Sequence, residues 1–172
     1  MKRWGLLCIG IGVLLFSGIA SAQDYPKVEA FAGYSYLHTS IAGTGFNSNG
    51  GSGSVSFNPN RWLGIVADFG GYHSGTSGLN GNIFSYTFGP KIALRGDKFT
   101  PFVQTLFGGA RASSGSFSTN AFAMALGGGV DYNVSPHFGV RLVQAEYVET
   151  KFNFSGSSSQ NSARLSFGVV VR

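Results

Sequence analysis

The sequence predicts an all-β protein, an eight-stranded antiparallel up-and-down transmembrane β-barrel, and three observations carry the prediction. Segments with a period of two recur along the chain, each as long as or longer than the roughly 9 to 11 residues a tilted strand needs to cross a bilayer. Their faces are arranged the opposite way from a soluble sheet. Aromatic and branched residues line one side, while glycine, alanine, serine and isolated charges line the other, a face that cannot serve as a solvated surface. The connections between segments alternate in length, tight turns on one rim and longer polar stretches on the other.

The N-terminus fits an exported protein. Lys2 and Arg3 precede an apolar run from Trp4 to Ile19, and Ala20-Ser21-Ala22 matches the small-residue cleavage pattern, so residues 1–22 read as a signal peptide and 23–172 as one barrel domain. The run is too short and too interrupted by glycine to be preferred as a membrane anchor. Cys8 lies in this leader without a lipoprotein context. Residues 23–172 therefore hold no cysteine, which excludes disulfides, thiol nucleophiles and cysteine-bound metals there. Without Lys2 and Arg3, ten basic residues face seven acidic ones, a formal charge of +3, and the basic residues are scattered singly, which argues against nucleic-acid binding. Only 11% of residues are charged while 15% are aromatic and 27 are glycine, too few charges to solvate an ordinary globular surface. No apolar run beyond the leader approaches a transmembrane helix, so a membrane can be crossed only by strands.

The first strand is expected over Val28–His38, with Glu29, Phe31, Gly33, Ser35 and Leu37 on one face and Ala32, Tyr34 and Tyr36 on the other. A Gly/Asn/Ser-rich loop over 41–49 leads to a weaker second strand, Gly50–Phe57, and the tight turn Asn58-Pro59-Asn60. The third, Arg61 to about Tyr72, sets Asp68 against Leu63, Ile65 and Phe69; a polar loop follows over 73–81. The fourth, Asn82–Arg95, is the clearest: Phe84, Tyr86, Phe88, Ile92 and Leu94 oppose Ser85, Thr87, Gly89, Lys91 and Ala93. Pro90 cannot donate in a wall without edges, which predicts a local bulge or a missing bond there. In the fifth strand, Phe99–Ala112, Gln104 and Arg111 have opposite parity and cannot both face inward without a bulge, which leaves its register open. After a loop over 113–118, the sixth, Thr119–Asn133, opposes Phe122, Met124, Leu126, Val130 and Tyr132 to Ala121, Ala123, Ala125, Gly127, Gly129 and Asp131. The seventh, His137–Thr150, carries Arg141, Gln144, Glu146 and Tyr147. A loop over 151–160 precedes the eighth, Asn161–Arg172, where Arg164 opposes Leu165, Phe167 and Val169.

V-E-A-F-A-G-Y-S-Y-L in the first strand, T-P-F-V-Q-T-L-F-G-G in the fifth, G-G-G-V-D-Y-N in the sixth and S-A-R-L-S-F-G-V-V-V-R at the end resemble the outer-membrane protein A-like eight-stranded barrels and the related opacity-type surface proteins. The resemblance covers the whole of 23–172 and is one of barrel family, not of activity. It implies the cell outer membrane, with outer-membrane lipid and lipopolysaccharide, the barrel-assembly machinery and periplasmic chaperones as partners. No segment matches the family's peptidoglycan-binding domain, so cell-wall anchoring is not implied. The ending Val-Val-Val-Arg lacks the family's terminal aromatic, which implies a variant assembly signal or less efficient recognition.

With the aromatic faces toward lipid, the lumen receives Glu29, Asp68, Lys91, Asp131, Arg141 and Arg164, three acids and three bases, as expected if buried charges must be paired. Counted from the short turns, Glu29, Lys91, Asp131 and Arg141 form a low layer and Asp68 and Arg164 a high one; Lys91 is expected to find Asp131 or Glu29. The plain reading is a network that fills a closed lumen. The alternative, which resembles what is described for the family, is a gate whose pairs exchange to open a small pore. An enzyme is the competing class, since some barrels of this size modify lipid A with His, Ser and an acid near the outer rim; the candidates are His38 with Ser40, His73 with Ser74, and Glu146 or Glu149. No His/Glu spacing suits a metal and no phosphate loop occurs, so no cofactor is expected; Gly127-Gly128-Gly129 sits within a strand, where close packing explains it. The loops 41–49, 73–81 and 151–160 read either as solvated connections or as a surface for an extracellular ligand. The expected function is a non-enzymatic surface or envelope-integrity role, with ligand binding and slight pore activity as alternatives.

Overall fold

Alternation in the sequence becomes strands in a computed structural model that describes residues 25–41, 44–76, 79–114, 117–152 and 158–172. The strands are β1 (Val28–Ile41), β2 (Thr44–Phe57), β3 (Leu63–Thr76), β4 (Leu79–Ala93), β5 (Phe99–Ser114), β6 (Phe117–Asn133), β7 (Phe138–Phe152) and β8 (Ser158–Val171). Each pairs antiparallel with its sequence neighbours, and β1 pairs with β8, closing the barrel. The expected signal peptide, Met1–Ala22, lies outside the described residues.

Following the register once around, from Ala30 through Val55, Ala67, Phe88, Phe107, Met124, Glu149 and Asn161, returns to β1 at Ser40, ten residues above the start. With eight strands such a stagger accompanies a tilt of roughly 35–45° and an interior just wide enough for side chains to fill.

The expected loops require correction. Ser40 pairs with Gly45 and Ile41 with Thr44; Ser74 pairs with Gly81 and Thr76 with Leu79; Ser113 pairs with Ser118. Much of 41–49, 73–81, 113–118 and 151–160 is therefore ladder. Glycine, serine and asparagine have low strand propensity, yet residues 44–48, 74–76 and 158–160 continue as two-stranded hairpins, each paired with one neighbouring strand, because the ladder begun in the barrel wall runs on past it. On the other rim the turns stay tight, with Gly96 N donating to Phe99 O at 3.1 Å and Ser135 N to Phe138 O at 2.9 Å.

At Pro90 the β3 side pairs normally, Ile65 opposite Pro90, whereas no pair joins Gly89 or Pro90 to β5. The register is the same on either side, from Phe88–Phe107 to Lys91–Gln104, so the proline interrupts the ladder without a bulge. In β5, Gln104 faces inward and Arg111 outward, with continuous pairing to β6. The bulge occurs in β7 instead. Its register shifts between Arg141 and Gln144 against β8, and Leu142 and Val143 are both exposed in succession. That extra residue changes the phase of β7, so Arg141 below it and Gln144 and Glu146 above it all face the lumen.

The outer face is a continuous apolar girdle. Phe84, Tyr86, Phe88, Ile92 and Leu94 of the β4 wall are exposed, as are Ile65, Phe69, Val103, Phe107, Leu126, Tyr147, Leu165 and Phe167 elsewhere. Phe69 meets Phe88 edge-on at 6.0 Å, and Tyr34 lies 5.4 Å from Phe167 across the β1–β8 seam. Such an area has no water-soluble counterpart of this size and is solvated by hydrocarbon. Phe88 lies midway along the β4 run from Phe84 to Leu94, and Leu94 lies at its edge. Phe88→Arg is expected to destabilise the barrel by about 2–4 kcal/mol and Leu94→Arg by about 0–1 kcal/mol, measured as urea unfolding from phospholipid vesicles.

Candidate functional site: the charged lumen

The inward positions converge on two charge layers. In the layer nearer the tight turns, Glu29 of β1 collects three cations. Lys91 Nζ donates to its Oε2 at 2.8 Å, Arg95 to the same oxygen at 3.3 Å, and Arg172 Nε to its Oε1 at 2.9 Å. Ser56 Oγ accepts a further bond from Lys91 at 3.1 Å. Asp131 is held by Arg141 in a two-pronged pair, Nε to Oδ1 at 2.7 Å and a terminal nitrogen to Oδ2 at 3.1 Å, the geometry that makes guanidinium–carboxylate pairs strong. The Arg141 guanidinium is also stacked between two rings, 4.3 Å from Phe31 and 4.4 Å from Phe102, and donates to Gln144 Oε1 at 2.6 Å. The flat apolar faces cover the cation where water would otherwise sit.

The second layer is built on Arg164 of β8. It reaches Asp68 at 2.7 Å and Glu146 at 2.6 Å, and donates to the Tyr72 hydroxyl at 3.2 Å. Gln104 completes the shell by donating to the other Glu146 oxygen at 2.8 Å. Beside it Val66, Leu106 and Ala125 form a small apolar cluster. Toward the other rim the lumen is lined with hydroxyls, Ser35 bonding both Ser52 (2.5 Å) and Ser166 (2.6 Å), and Thr39 bonding Ser162 (2.9 Å).

Glycines make room for this packing. An added methyl at Gly127 would stand 2.6 Å from Glu146 Cγ and 2.2 Å from the Ala145 carbonyl oxygen, and one at Gly129 would stand 2.9 Å from the tip of the Phe102 ring. The packing in the lower layer is correspondingly tight: the gap between Glu29, Phe31, Ser56, Lys91, Gln104 and Arg141 has no room for the centre of a water-sized sphere.

All six lumen residues picked out in the sequence are buried inside, but their expected balance of three acids and three bases is incomplete. Glu146, Arg95 and Arg172 belong to the same network. Glu146 is a candidate rim acid by its position along β7, but the bulge turns it into the lumen. Arg95 and Arg172 lie just past the ends of β4 and β8, yet each continues the inward alternation, Lys91–Ala93–Arg95 and Gly168–Val170–Arg172, and that alternation was the signal that could have found them. Of the other rim candidates, His38, His73 and Glu149 point outward, and the side chains of Ser40 and Ser74 lie outside the described residues. His38 Nδ1 lies 2.7 Å from Asn47 Oδ1 and His73 Nδ1 2.9 Å from Asn82 Oδ1, in two matching cross-strand pairs on the exposed surface. Glu149 shares the outward face of β7 with Tyr147. No cluster of three or more His, Cys, Asp or Glu suited to a metal occurs among the described residues.

The chain matches no protein-family model and no curated protein. Among solved structures it is similar to Neisserial surface protein A (16% identity, TM-score 0.69, covering 85% of this chain and 97% of that one). It is also similar to Ail, the attachment invasion locus protein of Yersinia pestis (19%, 0.55, 83% and 97%), and to the outer membrane protein OprG from Pseudomonas aeruginosa (9%, 0.53, 84% and 94%). At these identities the likeness is one of fold. Fold and apolar girdle together are those of a protein of the bacterial cell outer membrane, in keeping with the resemblance read from the strand motifs.

Arg164 is the one cation bonded to both Asp68 and Glu146 among the described residues, so Arg164→Met leaves two buried carboxylates side by side. A loss of about 3–5 kcal/mol is expected in urea unfolding from vesicles. Gly127→Ala, which crowds Glu146 from the neighbouring strand, is expected to cost about 1–3 kcal/mol in the same assay.

Proposed function

We propose that this outer-membrane barrel is a non-enzymatic envelope protein: a closed, charge-filled cylinder that contributes its apolar wall and its projecting hairpins, not a channel, to the membrane. One observation carries the reading. Every charged side chain described in the lumen is engaged in an ion pair, and the space between the lower-layer residues is too small for water. A path for ions would require breaking pairs that are buried and multiply bonded, and separating one such pair costs several kcal/mol.

The enzyme alternative is weakened by geometry. His38 and His73 each hold an asparagine on the outside, and of the two candidate acids Glu146 faces the opposite side of the wall, which leaves Glu149 on the outward face. Ligand binding at the surface is the better second reading, because the ladders continue through polar sequence to Ile41, Thr76, Ser114 and Phe152 and so raise stiff hairpins rather than slack loops. The regions 41–49, 73–81 and 151–160 are then the contact surface for an extracellular ligand, above an outer leaflet of lipopolysaccharide.

Planar-bilayer recordings on the folded chain, on Lys91→Ala and on Arg141→Ala are expected to show no current above the bare membrane. Discrete steps that appear or change in either variant would make the lumen a gated pore and overturn this reading.

A further inference from the structure

The two charge layers do not balance. The upper one sets Asp68 and Glu146 against Arg164. The lower one sets only Glu29 and Asp131, the carboxylates that pair there among the described residues, against Lys91, Arg95, Arg141 and Arg172, an excess of two positive charges. An uncompensated cation in a low-dielectric interior is costly unless an anion reaches it.

The excess is located at the mouth on the tight-turn side. The side chains of Arg95 and Arg172 are only 8% and 6% exposed. Arg95 uses two terminal nitrogens, one on Glu29 and one on the carbonyl oxygen of Arg61, whose own guanidinium donates back to the Arg95 carbonyl oxygen at 3.2 Å. Its Nε has no partner. Arg172 donates from Nε to Glu29 and from one terminal nitrogen to Asn133 Oδ1 at 2.7 Å; the other stays 3.8 Å from Asp131 Oδ2 and makes no hydrogen bond. Two buried guanidinium donors are therefore unused at one carboxylate, in a site carrying surplus positive charge. Lys27, Arg61 and Lys98 stand on the same rim, where Asp97 is the one acid among the described turn residues.

We propose that this mouth is an anion site, in which Arg95 and Arg172 share a phosphate group presented from the turn side. A phosphate suits it because it offers several acceptor oxygens at once and carries the charge that the lower layer lacks; guanidinium groups bind it through paired N–H donors. Binding exchanges bonds: the guanidinium is planar, so turning a spare N–H toward the mouth also moves the nitrogens that hold Glu29, the Arg61 carbonyl oxygen and Asn133, and the phosphate takes over part of those contacts. The phosphate can come from solution or from a lipid headgroup of the adjoining leaflet.

The test uses the full chain folded in a phosphate-free maltoside detergent, with the arginine Nε–H resonances followed by NMR. Inorganic phosphate, added at constant ionic strength against chloride, is expected to shift the Arg95 and Arg172 signals saturably. A parallel comparison of phosphatidylglycerol with phosphatidylcholine nanodiscs, without free phosphate, reads the lipid source. Shifts in either arm support the site and name its source. No saturable shift in both arms, or equal shifts with chloride, overturns it. In Arg95→Gln/Arg172→Gln the affinity for phosphate should fall by about tenfold or more; unchanged affinity would place the anion elsewhere. The wild-type shifts decide the matter even if that variant does not fold.

Discussion

Hydrocarbon offers no hydrogen-bond partners, so every backbone N–H and C=O within the girdle must be bonded inside the protein. In this chain the requirement is met by pairing β1 with β8, and the other features are tied to that closure. Closing the sheet ties the stagger and the diameter to the number of strands, and with eight it leaves a cavity that side chains fill. Because alternate residues of every strand point into that cavity, its lining is set by the same alternation that builds the girdle. The interruption at Gly89 and Pro90 is confined to the β4–β5 pairing and leaves the register intact, whereas the bulge of β7 shifts it.

Filling a narrow cavity with charges is expensive, and the lumen meets the cost by pairing every described charge, most of them with more than one partner. Arg141 combines a two-pronged pair with aromatic faces on both sides; Arg164 combines two carboxylates with a phenol. Neither arrangement fits without the small residues opposite. Gly127 leaves space for Glu146 and Gly129 for Phe102, so the glycine triplet of β6 is read as an imprint of side chains carried by β5 and β7. The polar network and the small-residue face are one device seen from two strands.

Much of this was legible in the residues. The alternation of Asn82–Arg95 gave the facing of β4 and the inward position of Lys91, and similar patterns placed Glu29, Asp68, Asp131 and Arg164. What was not legible had physical causes. Glu146 was hidden by a bulge, because parity has no meaning across an inserted residue; the clue was that Arg141 and Gln144, both polar, cannot face one side of a regular strand. Gln104 and Arg111 posed the same puzzle in β5 and resolved without a bulge, Gln104 facing the lumen and Arg111 facing outward at the level of Phe84 and Asn120. The polar stretches read as loops are largely two-stranded ladders, because sequence propensity does not register a pairing that is carried on from the wall below. Arg95 and Arg172 close the expected fourth and eighth strands, and their place in the lumen is legible only when the inward alternation is followed to the last residue.

The β1–β8 seam joins segments far apart in the chain, with Glu29 meeting Arg172 and Ser35 meeting Ser166, so its closure must wait for all the intervening hairpins. At that late step the register is still to be chosen. A displacement of β8 by a single residue would turn Arg164 out into hydrocarbon, at about 2–4 kcal/mol for a position near the midplane, and strand Asp68 and Glu146 inside. The buried pairs therefore act as a proofreading key for the last joint of the barrel, rejecting near-miss closures that the backbone alone would accept.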